Sequence, residues 1–592
     1  MDKTPRLGDF TCGPEMLWLC VLAVPVGLAG AGLAVVLLRL IALVTNGVYQ
    51  GRVDFSLTPI SIAHLGPFSI FVPIAGALVI GLISRFGSER IRGHGIPEAI
   101  EAILLNGSRV QARVAILKPI SSAISIGTGG PFGAEGPIIM TGGAFGSLVA
   151  QCLNLTGAER KTLLVAGAAA GMSATFAAPL ASVCLAVELL LFEFKPRSLI
   201  PVAIASAVAA AARHEWLGAG PLFPAGAHAA FIGLSALACC VPVGLSAGML
   251  SGLLTIGVYA AEDAFHKLPI HWMWWPAIGA IAVGVGGLIF PGALGVGYNL
   301  IGELLGGQAT MATLAGILLV KSTLWIVALG SGTSGGVLAP LLMIGGALGG
   351  LEALWLPHVG PGFWPLIAMG AILGGTMRSP LTGVVFVLEL THDFNAALPL
   401  LIAVVSAEAF TVLALKRSIL TEKLSRRGRH VTREYAIDPL ELHLVRDVVK
   451  PVPATLPAEG PPRPVALRDA GVVAITDAAG ALVGALSVEA LDALVAAGDM
   501  RALGDIGAGF PVAHPDETLR VVVYRMAETG HTCLPVIERS GRALVGLVTL
   551  TDMLHARSHW HVEETRRERV RRWRPIMRRF AAVTARLARV PR

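Results

Sequence analysis

The 592 residues are 54% hydrophobic and only 14% charged, with a mean hydropathy of +0.70. This balance excludes an ordinary soluble globular chain and makes a lipid bilayer the main solvent. The net charge of +7 does not call for a nucleic-acid partner, because twelve Arg against three Glu (Glu563, Glu564, Glu568) lie between Arg557 and Arg592 and the rest of the chain is near neutral.

A polar leader (1–15), expected on the cytoplasmic side, precedes the first apolar run. That run lacks a small-residue cleavage site and reads as a retained span. Runs near 16–44, 68–84, 231–260, 274–291, 309–329 and 397–415 are long enough to cross a hydrocarbon core that takes about 20 helical residues. Segments 137–153, 161–173 and 337–356 are shorter or broken by Gly and Pro. Helices that stop inside a membrane must turn their free backbone groups toward protein or a polar cavity, so these pieces imply a pathway. His271-Trp272-Met273-Trp274-Trp275 reads as an interfacial anchor. The seven cysteines are scattered without a CxxC pair, which argues against a metal or disulfide role.

The chain is internally duplicated. GTGGPFGAEGPIIMTGGAFGSL (127–148) returns as GSGTSGGVLAPLLMIGGALGGL (330–351), and APLASVCLAVELL (178–190) returns as SPLTGVVFVLELT (379–391). Pro179 and Glu188 thereby correspond to Pro380 and Glu389. Duplicated apolar halves with Gly/Pro breaks in matching places mark a transporter-type fold whose site lies between the repeats, here about 16–213 and 231–415. Three glycine-flanked loops precede helix starts: GHGIPEAI (93–100), GAEGP (133–137) and GTSGGVLAP (332–340). Unpaired amides and positive dipole ends converging from such loops attract an anion with the moderate strength that conduction requires.

These motifs, in this order, resemble the CLC family of chloride channels and proton-coupled chloride transporters, over essentially all of residues 16–430. The resemblance implies an α-helical polytopic membrane protein of two inverted-topology repeats with broken helices, working as a homodimer with a separate pore in each subunit. It implies that Gly93, His94, Gly95, Ile96 and Pro97, then Gly133, Ala134, Gly136 and Pro137, then Gly336, Val337 and Leu338 line the anion path, with the Val337 and Leu338 amides on a central ion. Glu135 would be the gate whose carboxylate competes with the anion; the plainer alternative is a carboxylate that only complements a helix dipole. No cofactor is required and no metal site is expected. Chloride or another small anion is the transported ligand.

Several positions depart from the family pattern. His94 stands where many members have Ser, and Leu420, in Arg417-Ser418-Ile419-Leu420-Thr421, stands where the family's central tyrosine is expected. The inner proton-transfer position that follows Glu188 is Leu189, which cannot relay a proton, and Ala134 replaces the Arg of the usual gating motif. The favoured reading is a passive, gated anion channel. The alternative is exchange through a non-standard proton route using Glu188, Glu193, His94 or water. A cation transporter lacks the converging carboxylates it would need, and a membrane enzyme lacks a metal cluster or nucleophile–base pair. His94 could instead turn away and bond a backbone carbonyl.

Composition changes near 430, after the basic stretch KRSILTEKLSRRGRH (416–430) that suits a cytoplasmic edge. Residues 431–556 read as two αβ units, Val445–Val449 with 472–491 and Leu503–Ile506 with 532–554. They resemble a tandem pair of CBS domains, a regulatory module that often binds adenine nucleotides. Thr549 and Asp552 fit the family's ligand-contacting ending, while a helix cap explains the same pair. The first unit keeps Ser487 but lacks the carboxylate. The basic tail (557–592) could lie on an anionic leaflet or be solvated. Placement in a bacterial inner membrane, with both termini cytoplasmic, completes the expectation.

Overall fold

In the computed structural model the described residues are 12–427, except 105 and 227, and 438–565, except 439, 441–442, 453–454, 466–470, 508 and 541–542. The basic tail beyond 565 and most of the leader lie outside them. The described residues fall into two compact units, 12–427 and 438–565.

The first unit is helical. Among the described residues six helices are long and apolar enough to cross a membrane: Glu15–Gln50, Gly66–Phe86, Leu234–His266, Trp272–Ile289, Met311–Gly330 and Phe394–Arg426. They coincide with the six apolar runs of the sequence. The tryptophan cluster divides its labour: Trp274 is 47% exposed, whereas Trp275 is buried and lies with Trp272 beneath the Arg92 guanidinium, 4.5 Å from the Trp272 ring.

The interrupted segments form helices Glu135–Gln151, Gly157–Phe176, Leu338–Glu352 and Phe363–Met377. The second is longer than the apolar run at 161–173, since Thr156 and Glu159 close a capping box and extend its start through polar residues. These helices pair by close backbone approach. A Cβ on Gly142 would stand 2.3 Å from the Gly167 carbonyl oxygen, and one on Gly349 would stand 2.2 Å from that of Trp364. Small residues at such crossings replace the hydrophobic drive that lipid does not provide.

The duplicated Pro-led helices, Pro179–Leu185 and Pro380–Thr391, cap one another. Glu389 accepts from the Leu180 and Ala181 amides at 2.9 and 2.7 Å. Reciprocally, Glu188 accepts from the Leu381 and Thr382 amides at 3.0 and 2.8 Å and from the Thr382 hydroxyl at 2.6 Å. Proline at the first helical position has no N–H to satisfy, so the next two amides are the ones that need a partner.

The second unit contains two strand–strand–helix elements. Strands Val472–Thr476 and Leu482–Ser487 pair antiparallel before a helix at Val488–Ala496; Cys533–Ile537 and Leu544–Thr549 do the same before Leu550–Thr565. Each leading segment crosses to the other element, contrary to the sequence expectation. Val445 packs with Leu534, Val536, Val548 and Met553, and Lys450 bridges Leu547. Leu503 joins Val473, Ile475 and Leu491. Local pattern identifies strands and helices, but the core a short segment joins is decided by long-range pairing.

Removing the Glu389 carboxylate leaves two helix-start amides without acceptors, a loss of about 1–3 kcal/mol at the buried Ala181 amide and less at exposed Leu180. Glu389→Ala is therefore expected to lower the thermal unfolding midpoint in detergent, and Glu389→Gln, which keeps one acceptor oxygen, to lower it less. Equal midpoints for parent and Glu389→Ala would contradict the capping role.

Candidate anion pathway

The glycine loops of the two repeats meet. Gly133 and Gly336 form an antiparallel backbone pair, with the Gly336 amide donating to the Gly133 carbonyl at 2.8 Å and the Gly133 amide to the Gly336 carbonyl at 3.2 Å. The third loop closes over them: a Cβ on Gly95 would stand 2.4 Å from the Gly136 carbonyl oxygen, and one on Gly136 would stand 1.7 Å from that of His94. Gly93 and Gly95 hold φ values of 83° and 93°, which glycine adopts without strain. Side chains at these points would fill the junction.

Glu135 occupies the junction. It is fully buried and begins its helix, yet its Oε1 accepts from the Ala339 amide of the other repeat at 3.1 Å. Its Oε2 is buried without a partner, and a Cβ on Gly336 would meet that oxygen at 2.4 Å. The carboxylate thus sits on the start of the opposite helix. Val337 and Leu338, whose amides are expected on a central ion, are both fully buried at the same helix start.

His94, 3% exposed with Nδ1 buried and unpartnered, lines a cavity of about 860 Å3 together with Gly93, Glu98, Arg92, Lys423 and Tyr259. Behind it, Glu98 accepts from the Gly95 amide at 2.8 Å and pairs with Lys423 at 2.7 Å. Ile96 and Pro97 are buried at the helix start. Arg426 and Arg427 also line the cavity but are paired with Asp263 and Glu101. Leu420 is fully buried in helix Ile419–Arg426 and brings no polar group; Lys423, one turn on, and Arg426 are the residues of that helix that line the cavity.

Two buried lysines escaped the sequence reading. Lys118 donates to the Ile91 and Gly93 carbonyls at 2.8 and 2.7 Å. Lys321 donates to the Ala293 and Gly295 carbonyls at 3.3 and 3.1 Å. Each lies fifteen residues ahead of its repeat's junction glycine, Gly133 or Gly336, so the register of the duplication carried the signal. A cation inside a membrane protein is costly and marks a charged pathway.

Leu189 is fully buried among apolar residues. Its neighbours are committed elsewhere: Glu188 to the caps described above, Glu193 to Lys161 at 3.0 Å, Arg197 at 3.3 Å and the Ser198 hydroxyl at 2.6 Å. In the second unit, Thr549 and Asp552 close on each other, the Thr549 hydroxyl donating to Asp552 Oδ2 at 2.7 Å, while Asp552 Oδ1 meets Lys450 at 2.5 Å. Burial pushes this carboxyl up, but Lys450 and the Thr549 hydrogen bonds outweigh it and hold the group below its usual value.

Residues 75–412 match the voltage gated chloride channel family, more than half of the chain. The chain belongs to that family. It is accordingly an integral multi-pass membrane protein of CLC-type anion transport and not an enzyme. A CBS domain match covers residues 504–559. A putative chloride channel protein ClcB-like of Ralstonia nicotianae is 29% identical over 347 residues, 57% of this chain and 81% of that protein. The H(+)/Cl(-) exchange transporter ClcA of Klebsiella pneumoniae is 31% identical over 342 residues, 55% of this chain and 71% of that protein. Among solved structures, a slow cyanobacterial Cl-/H+ antiporter superposes with a TM-score of 0.60 at 22% identity, covering 70% of this chain and 99% of the other. A eukaryotic CLC transporter superposes at 0.57 and 18% identity, covering 91% and 98%. These two show the shared fold.

The junction leaves no room for a methyl group at Gly95. Gly95→Ala is expected to abolish chloride flux in liposomes, whereas Gly47→Ala, where a Cβ meets nothing within 4 Å, leaves it unchanged. Parental flux in Gly95→Ala would show that the three loops do not form the path.

Proposed function

We propose that this protein is a passive, gated chloride pathway in which Glu135 is the gate, and that Gly93–Pro97, Gly133–Pro137 and Gly336–Leu338 line the route, with chloride held by helix-start amides. The observation that carries this reading is the Glu135 carboxylate, which occupies a helix-start amide of the opposite repeat while its second oxygen has no partner. An anion and this carboxylate compete for the same positive end of a helix. When the carboxylate is protonated or turned aside, the amide is free.

Passive flow is favoured by the residues that could have carried a proton inward. Leu189 has no ionisable group, and Glu188 and Glu193 are held in caps and ion pairs. The exchangers among the relatives supply the competing reading, and one feature favours it: the unpartnered His94 Nδ1 beside the large cavity. The cavity side carries Arg90, Arg92, Arg109, Lys423, Arg426 and Arg427, which suits the cytoplasmic face. Homodimer assembly, cytoplasmic termini and a bacterial inner membrane belong to the same proposal.

Glu135→Gln is expected to weaken the pH dependence of chloride flux, since a neutral amide mimics the protonated gate; an unchanged profile would make Glu135 structural. His94→Ser is expected to narrow selectivity toward chloride over nitrate. Identical selectivity would mean that the imidazole does not reach the anion.

For the second unit we propose that Thr549 and Asp552 act as a helix cap rather than as nucleotide ligands, because a ribose would have to displace both Lys450 and Thr549 from the same carboxylate. Millimolar ATP or AMP is expected to leave the thermal midpoint of the full protein unchanged. A rise lost in Asp552→Ala would instead establish nucleotide binding by mass action.

A further inference from the structure

The loop GHGIP (93–97) has a counterpart in the second repeat that the larger duplications do not include. GVGYN (295–299) repeats its form: Gly295 and Gly297 hold φ values of 63° and 78°, as Gly93 and Gly95 do in the left-handed region. Each loop is tied by a buried lysine, Lys118 to the Gly93 carbonyl and Lys321 to that of Gly295. Each opens a helix, Ile96–Leu104 and Tyr298–Leu305. The loops also face different cavities. His94 lines the large one, and Tyr298 lines a second of about 140 Å3 with Thr45, Thr58, Gly295 and Gly297. The Gly66–Phe86 span separates Leu57–Ile60, which line the second cavity, from Glu89–Gly93, which line the first. The two cavities therefore lie at opposite ends of one membrane crossing.

Tyr298 is placed to act on Glu135. Its hydroxyl is buried without a partner, as is Glu135 Oε2. Its ring is fixed edge-on by Phe176 and Phe223, with centroids 6.5 and 5.6 Å away. Glu135 interacts electrostatically with both Tyr298 and Lys321. Two unsatisfied groups, one a donor and one an acceptor, are costly apart and complementary together.

We propose that Tyr298 is a positioning residue for the gate: when the Glu135 carboxylate leaves the Ala339 amide, the Tyr298 hydroxyl donates to it and holds it on the side of the second cavity, clearing the Gly133–Gly336 junction for the anion. The inference rests on the reading of Glu135 as gate. Lys321 and Tyr298 are the charged and titratable groups that act on that carboxylate, while His94, Lys118, Glu98 and Lys423 gather at the loop of the first cavity. Varying pH only on the side of the second cavity separates the gate from His94.

The test measures chloride flux through the full protein in liposomes, with pH on that side stepped from 4.5 to 8, for parent, Tyr298→Phe, Glu135→Gln and the double variant. Tyr298→Phe removes one oxygen and keeps the ring packing. The expected result is a loss of about tenfold in flux at neutral pH, where the displaced carboxylate needs its donor, with acid flux retained and no further effect in the Glu135→Gln background. Parental behaviour of Tyr298→Phe at every pH, with an altered profile in Glu135→Gln, would overturn the role of Tyr298 and leave the gate standing. Equal loss at all pH values and in both backgrounds would reduce Tyr298 to packing. A pH profile unchanged in Glu135→Gln would remove the gate reading and this inference with it.

Discussion

The architecture depends on a single close approach, the backbone pair between Gly133 and Gly336. Two hydrogen bonds join the repeats there, and the space a Cβ would take at either residue is where the Glu135 carboxylate lies. A membrane interior has no water to satisfy backbone groups, so broken helices can end there only where protein or a cavity receives them. The glycine pair meets that requirement and leaves helix starts unshielded by side chains. An anion is attracted to such a place by dipoles alone, without a fixed cation in contact.

The surrounding structure holds this junction rigidly from both sides. Lys118 and Lys321 tie the flanking glycine turns, and Glu188 and Glu389 cap each other's repeats. The duplicated glutamates illustrate how the same residue type separates into roles. Glu188 and Glu389 have their oxygens filled by amides and are structural, whereas Glu135 has one oxygen filled and one bare. Incomplete satisfaction of a buried carboxylate is costly unless a second arrangement completes it, and this asymmetry distinguishes a moving group from a fixed one.

Much of this was legible in the sequence. Hydropathy located the six spans because lipid imposes a length and an apolar composition on each of them, and the duplication located the glycine loops that meet between the repeats. Lys118, Lys321 and Tyr298 were not found, since single polar residues inside apolar helices look incidental until the repeats are laid in register and folded onto each other. The exchange of Val445 and Leu503 between the CBS-like elements was hidden for a related reason: strand and helix patterns are local, and the pairing that chooses a core is not. His94 stood out in its glycine-flanked loop, and the fold adds the cavity it lines.

On the proposed function, anions cross this junction without a coupled proton, because the position after Glu188 is an apolar Leu189 and the nearby carboxylates are already bonded. The reversal potential of the reconstituted protein under crossed chloride and pH gradients tests this passage. Uncoupled flow gives a potential that follows the chloride gradient alone and does not move when the pH gradient is reversed. A potential displaced by the pH gradient, with protons driven uphill by chloride, would contradict it.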